Sequence, residues 1–165
     1  MIYVGIDPDI DKSGIGIIDT TNKVAVAHKM DEIEILEYFK HTSTAKFFIE
    51  TQQTTHNFHG KTWQTKAAYG KIMLNVGQNL QEQKVISRLL NKMGADIAEV
   101  PPLVKSWRGS DRKITHEEIN EILKNAGYNE IKRCSQDMRD ALLLAINHGG
   151  VPIRVSSNFG KLKLL

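Results

Sequence analysis

Three β-favouring runs lie within residues 1–30, each followed by a turn-forming or polar stretch. That arrangement restricts the chain to folds built on an antiparallel meander. Ile2 to Ile6 is apolar and strand-forming, and Gly14 to Ile18 resumes the pattern after Asp7-Pro8-Asp9-Ile10-Asp11-Lys12-Ser13. Thr20-Thr21-Asn22-Lys23 is a second turn signal, after which Val24-Ala25-Val26-Ala27-His28-Lys29 reads as a third strand.

Helical periodicity appears only beyond this meander. Asp31 opens a short amphipathic helix with Ile33, Leu36 and Phe39 or Tyr38 on its apolar side, leading into a fourth strand, Lys46 to Glu50. Thr51 to Gly60 has no periodicity and reads as a loop. From Trp63, the stripe Trp63, Ala67, Gly70, Leu74 and Gly77 predicts a helix continuing to Met93, its glycines admitting another element at close range. Ala95 to Val100 is a fifth strand, and the basic segment Leu103 to Ile114 has no regular pattern. Thr115 with Glu118 makes a capping box for a helix stopped at Gly127; Ser135 caps a last helix with Met138, Ala141, Leu142, Ala145 and Ile146 facing inward. The element order predicts an α/β fold: a five-stranded mixed sheet, antiparallel in its first three strands and flanked by helices.

At 165 residues this is one domain, spanning 1–165. No apolar run reaches the length of a membrane span and the N-terminus lacks a signal peptide, so a cytoplasmic, non-membrane protein is expected. The single cysteine, Cys134, allows no internal disulfide and suits a reducing compartment. A net charge of +3 favours an anionic partner without requiring one. Its distribution says more. Lys61, Lys66, Lys71, Lys84, Arg88 and Lys92 occupy the middle, and Lys105, Arg108, Arg112 and Lys113 surround Trp107, while several carboxylates interrupt apolar segments.

Those carboxylates carry the chemistry. Asp7 ends the first strand and Glu50 ends the fourth, so the two are side by side if these strands are neighbours. Asp137 and Asp140, three residues apart near the start of the last helix, project from one face. An Asp before proline also starts turns, and an Asp in a first helical turn also complements the helix dipole, so the joint pattern outweighs its parts. Four convergent carboxylates cannot all stay ionised without cations, because like charges a few Å apart repel by several kcal/mol at an effective dielectric of about 20. Oxygen-only ligands select hard ions, Mg²⁺ or in its place Mn²⁺. Two such ions suit in-line hydrolysis of a phosphodiester.

Gly5-Ile6-Asp7-Pro8, Gly14-Ile15-Gly16, Ile49-Glu50 and Asp137-Met138-Arg139-Asp140-Ala141-Leu142 through His148 together resemble the RuvC family of Holliday junction resolvases. The resemblance implies an RNase H-like fold, Asp7, Glu50, Asp137 and Asp140 as the catalytic set binding two divalent ions, and a homodimer that nicks a four-way DNA junction symmetrically. It also implies roles near the scissile region for Lys105 and Lys113, and for Phe58 in opening the junction. Asp9 departs from the family, which usually has glycine there. Phe58 and Lys61, following Glu50, are expected at the rim, where an aromatic ring can stack on an unpaired base. Lys105, Arg108, Arg112 and Lys113 can neutralise phosphates, although such a cluster is often only a solvated face. His56 and His59 lack further ligands for zinc.

Competing readings are a nuclease acting on flaps or RNA–DNA hybrids, a catalytically silent junction-binding protein, and an actin-like kinase or ATPase. The last needs a second phosphate loop that this chain lacks.

Overall fold

The computed structural model describes residues 1–40, 42, 44–51, 66–104 and 106–155, apart from the side chains of Lys66 and Tyr69. Its elements are β1 (Ile2–Asp7), β2 (Ser13–Asp19), β3 (Val24–Met30), α1 (Glu32–Phe39), β4 (Ala45–Glu50), α2 (Lys66–Lys92), β5 (Asp96–Val100), α3 (His116–Asn125) and α4 (Gln136–His148). The sheet order is β3-β2-β1-β4-β5, with β1, β2 and β3 antiparallel and β4 and β5 parallel to β1. This is the mixed sheet that the sequence predicts.

Alternation along the strands sends residues to two separate cores. Val4, Ile6, Ile15, Ile17, Phe47 and Ile49 pack with Ile35 and Phe39 of α1 and Ile86 and Leu90 of α2. On the opposite face Ile18 and Ala25 pack with Ile119 and Ile122 of α3 and Leu142 and Ile146 of α4. The approach of α4 depends on missing side chains. A Cβ on Gly16 would lie 2.1 Å from the Leu142 Cα, and one on Gly14 would lie 2.2 Å from the Asp137 carbonyl oxygen. The first turn of α4 therefore rests directly on β2, next to the end of β1.

Two details differ from the sequence expectation. In α1 the buried residues are Ile35 and Phe39, while Ile33 is 67% exposed. Asp31 caps the helix through a capping box with Glu34, and within eight residues it is the i, i+4 pair Ile35 and Phe39 that enters the core, Phe39 meeting Phe47 ring to ring at 5.0 Å. In α2 the glycines admit nothing among the described residues: no described atom lies within 4 Å of a Cβ built on Gly70 or Gly77, and Leu74 is 60% exposed. A helix of 27 residues runs about 40 Å and outreaches strands of about 17–23 Å. Only its C-terminal half, with Gln83, Ile86, Ser87 and Leu90 buried, covers the sheet. Among the described residues no helix is long and apolar enough to cross a membrane.

Candidate active site

Ile6 of β1 pairs with Ile49 of β4, and the register continued by one residue sets Asp7 beside Glu50. Because Val4, Ile6, Phe47 and Ile49 all enter the α1–α2 core, alternation turns Asp7 and Glu50 towards α4. Ser135 caps α4, its hydroxyl accepting from the Met138 N–H, and so fixes the turn that presents Asp137 and Asp140. All four carboxylates line one cleft of about 310 Å³, shared with Asp9, Asn79, Trp107 and Lys113. The structure thus brings together the whole acidic set predicted from the sequence.

Their proximity has an electrostatic signature. Burial pushes the Asp7 carboxyl well above the usual carboxylate range, and Glu50, Asp140 and Asp137 push it further; Lys113 opposes them. Asp137 is held by Lys29 of β3, Nζ to Oδ2 at 2.7 Å, and the same ammonium is 3.5 Å from Asp9. Gln136 Nε2 donates to Asp140 at 2.8 Å. Among the described residues no group of three His, Cys, Asp or Glu side chains stands arranged to hold a metal ion. The donor set nevertheless fits a hard divalent cation in kind. It is all oxygen, and the repulsion that lifts Asp7 is what a cation would relieve.

Lys113 reaches the cleft from an ordered loop. Trp107 N–H donates to the Arg112 carbonyl at 3.0 Å and Gly109 N–H to the Lys113 carbonyl at 2.9 Å. Glu118, 1% exposed, accepts from the backbone N–H of Thr115 at 2.9 Å and of Arg108 at 3.1 Å, fastening the loop to α3. Asp111 and Arg112 both adopt left-handed backbone, with φ of 55° and 58°. Arg139 Nε donates to the Ile114 carbonyl at 3.1 Å, linking the loop to α4. Arg108 and Arg112 are exposed and Lys113 is half-buried, so the described basic residues predicted to meet DNA separate into one in the cleft and two on the surface. Phe58, Lys61 and Lys105 lie outside the described residues, as do His56, His59 and Trp63.

Sequence reasoning missed Lys29, Asn79 and the place of Trp107 in the cleft wall. Lys29 had a readable signal. It follows Ala25 and Ala27 at strand spacing, a charged residue on the face where the other two are small and packed against α3 and α4.

The sheet order, with its antiparallel meander and parallel β4 and β5, flanked among the described residues by four α-helices, defines an RNase H-like fold. Among solved structures, the chain resembles RuvC of Thermus thermophilus in complex with a Holliday junction substrate. The TM-score is 0.54, with 17% identity over 90% of this chain and 92% of that one. A second structure of RuvC from the same organism matches with a TM-score of 0.52 and 19% identity, over 92% of this chain and 98% of that one. No protein-family model and no curated protein matches the sequence. At this identity the likeness shows a RuvC-like fold.

Proposed function

We propose that the chain is a single-domain, metal-dependent endonuclease that hydrolyses phosphodiester bonds in branched DNA, resolving four-way junctions by paired symmetric nicks as a homodimer in the cytoplasm. The observation that carries this reading is the convergence of Asp7, Glu50, Asp137 and Asp140 on one cleft. The fold likeness to a protein solved with a Holliday junction substrate supports the choice of DNA.

In this reading the four carboxylates are the catalytic and metal-binding set. Two Mg²⁺ ions, or Mn²⁺ in their place, would supply charge stabilisation for the attacking and leaving oxygens of an in-line displacement. Asp7 and Glu50, on adjacent strand ends, form the rigid floor, and Asp137 and Asp140 close it from α4. Lys113, on the cleft wall, binds a non-bridging oxygen of the scissile phosphate and offsets part of the carboxylates' repulsion towards DNA. Arg108 and Arg112 hold the flanking backbone through charge without reading sequence. Phe58, Lys61 and Lys105 complete the proposed DNA-contact set.

The test is cleavage of a labelled synthetic four-way junction beside a linear duplex, a flap and an RNA–DNA hybrid, with Mg²⁺ or Mn²⁺ and with chelator. Metal-dependent paired nicks confined to the junction are expected. Cutting of the flap or hybrid instead moves the substrate while keeping the chemistry. Binding without cutting identifies a silent junction-binding protein.

A further inference from the structure

We propose that Lys29 is a built-in cation that competes with a divalent metal for Asp137, and that Asp9 is the acceptor to which Lys29 transfers when the metal binds. The inference rests on the metal-binding reading of the four carboxylates and deepens it.

The placement follows from register. Asp7 pairs with Gly14 across β1 and β2, and Gly14 pairs with Lys29 across β2 and β3, so the three form one row whose side chains share a face. The middle member has no side chain. The Asp137 backbone occupies that gap, with its carbonyl 2.2 Å from where a Gly14 Cβ would sit. Asp137 therefore stands over Gly14, with Asp7 on one side and Lys29 on the other. Its carboxylate is given to Lys29, at 2.7 Å, with both side chains about one-third exposed at 34% and 33%. Asp9 waits at 3.5 Å from the same Nζ and lines the same cleft. A lysine chain anchored at Cα can turn its ammonium from one carboxylate to the other without moving the backbone. The rotation would free Asp137 while leaving the ammonium paired, so the exchange exposes no uncompensated charge.

The arrangement predicts coupling between two residues outside the catalytic set. Mn²⁺ binding is measured by calorimetric titration, with no DNA present, for the wild type, Lys29→Met, Asp9→Asn, the double variant and Lys12→Met. The last removes an exposed lysine that is paired with Glu34 at 2.8 Å, and so reports the general effect of one lost positive charge. Lys29→Gln repeats the measurement with a polar side chain should the Met variant fold poorly.

Lys29→Met should tighten Mn²⁺ binding about fivefold beyond Lys12→Met. Asp9→Asn should weaken binding in the wild type, where Lys29 loses its second acceptor, yet change little in the Lys29→Met background. Additive effects of the two substitutions, or no gain over Lys12→Met, would overturn the exchange while leaving the metal site standing. Mn²⁺ binding by Lys29→Met but not by the wild type would support it in its strongest form. Absence of binding in both would overturn this inference and the metal-dependent reading together.

Discussion

Asp7 is the residue on which the electrostatics of the cleft converge. Burial and three neighbouring carboxylates raise its pKa from an ordinary value of 3.8, which means that its ionised form weakens the metal-free fold. Because the folded protein holds this proton to higher pH than the unfolded chain does, stability falls as pH rises from 3.8 towards the folded value. Asp7→Asn removes that penalty. Without metal it should raise the melting temperature at pH 7 by about 2–4 °C, the shift that roughly 1 kcal/mol produces in a domain of this size. The gain should shrink as the pH falls towards 3.8 and vanish below it, where Asp7 is protonated in both states; scanning calorimetry across pH checks both statements. The same substitution should reduce junction cleavage by a factor of about 10³ or more while junction binding persists in gel shift. Loss of folding would instead make Asp7 a structural residue.

The elements that carry the site are held by contacts that few substitutions can satisfy. A methyl group on Gly16 would meet the Leu142 Cα at 2.1 Å, backbone against backbone, with no flexible side chain to yield. Gly16→Ala should therefore separate α4 from β2 and cost about 3 kcal/mol or more, visible as a lowered urea midpoint. At the other end of the cleft, Glu118→Ala leaves the Arg108 and Thr115 N–H groups without their carboxylate. That change should cost about 2–3 kcal/mol. It should slow cleavage through displacement of Lys113 without weakening Mn²⁺ binding. A parallel loss of metal binding would show that the damage had spread beyond the loop. The open edge of the sheet has its own protection, since Asn129 pairs its side-chain amide with both backbone groups of Ala25 on β3, at 2.7 and 2.9 Å.

Across the molecule, charge is divided between a carboxylate-lined cleft and an exposed basic shoulder. In the proposed complex this shoulder holds polyanionic DNA, and its contribution falls with salt because phosphate contacts release counterions. Arg112→Gln should weaken binding to four-way junctions of different sequence by similar factors and lower the slope of log K against log salt by about one. Fluorescence anisotropy over a salt series measures this, and a sequence-selective loss would assign Arg112 to base recognition instead. The proposed symmetric nicking would require two active sites, so sedimentation equilibrium should give twice the mass of one chain. A monomer that still nicks would produce unpaired cuts.

Much of this protein was settled locally, by alternation, turn chemistry and caps. The meander, the fourth and fifth strands, the helix start at Asp31 and the capping box at Thr115 follow from neighbouring residues, and so does the placing of Asp7 and Glu50 at strand ends. Asp137 and Asp140 were legible as a pair because helical spacing fixes their common face. What needed the tertiary structure is whatever depends on two distant segments meeting. Ile33 has the spacing of a packed face, but in the short α1 it is Ile35 and Phe39 that turn to the core; the glycines of α2 have that spacing too, but the helix is longer than the sheet and they meet nothing among the described residues. Lys29 and Asp137 are brought together only because Gly14, lacking a side chain, lets α4 close onto β2 between Asp7 and Lys29. Sequence determined which residues are acidic and which backbone element carries each, since both are properties of short segments. Packing decided which of those acids a lysine holds, because that depends on contact between segments more than a hundred residues apart.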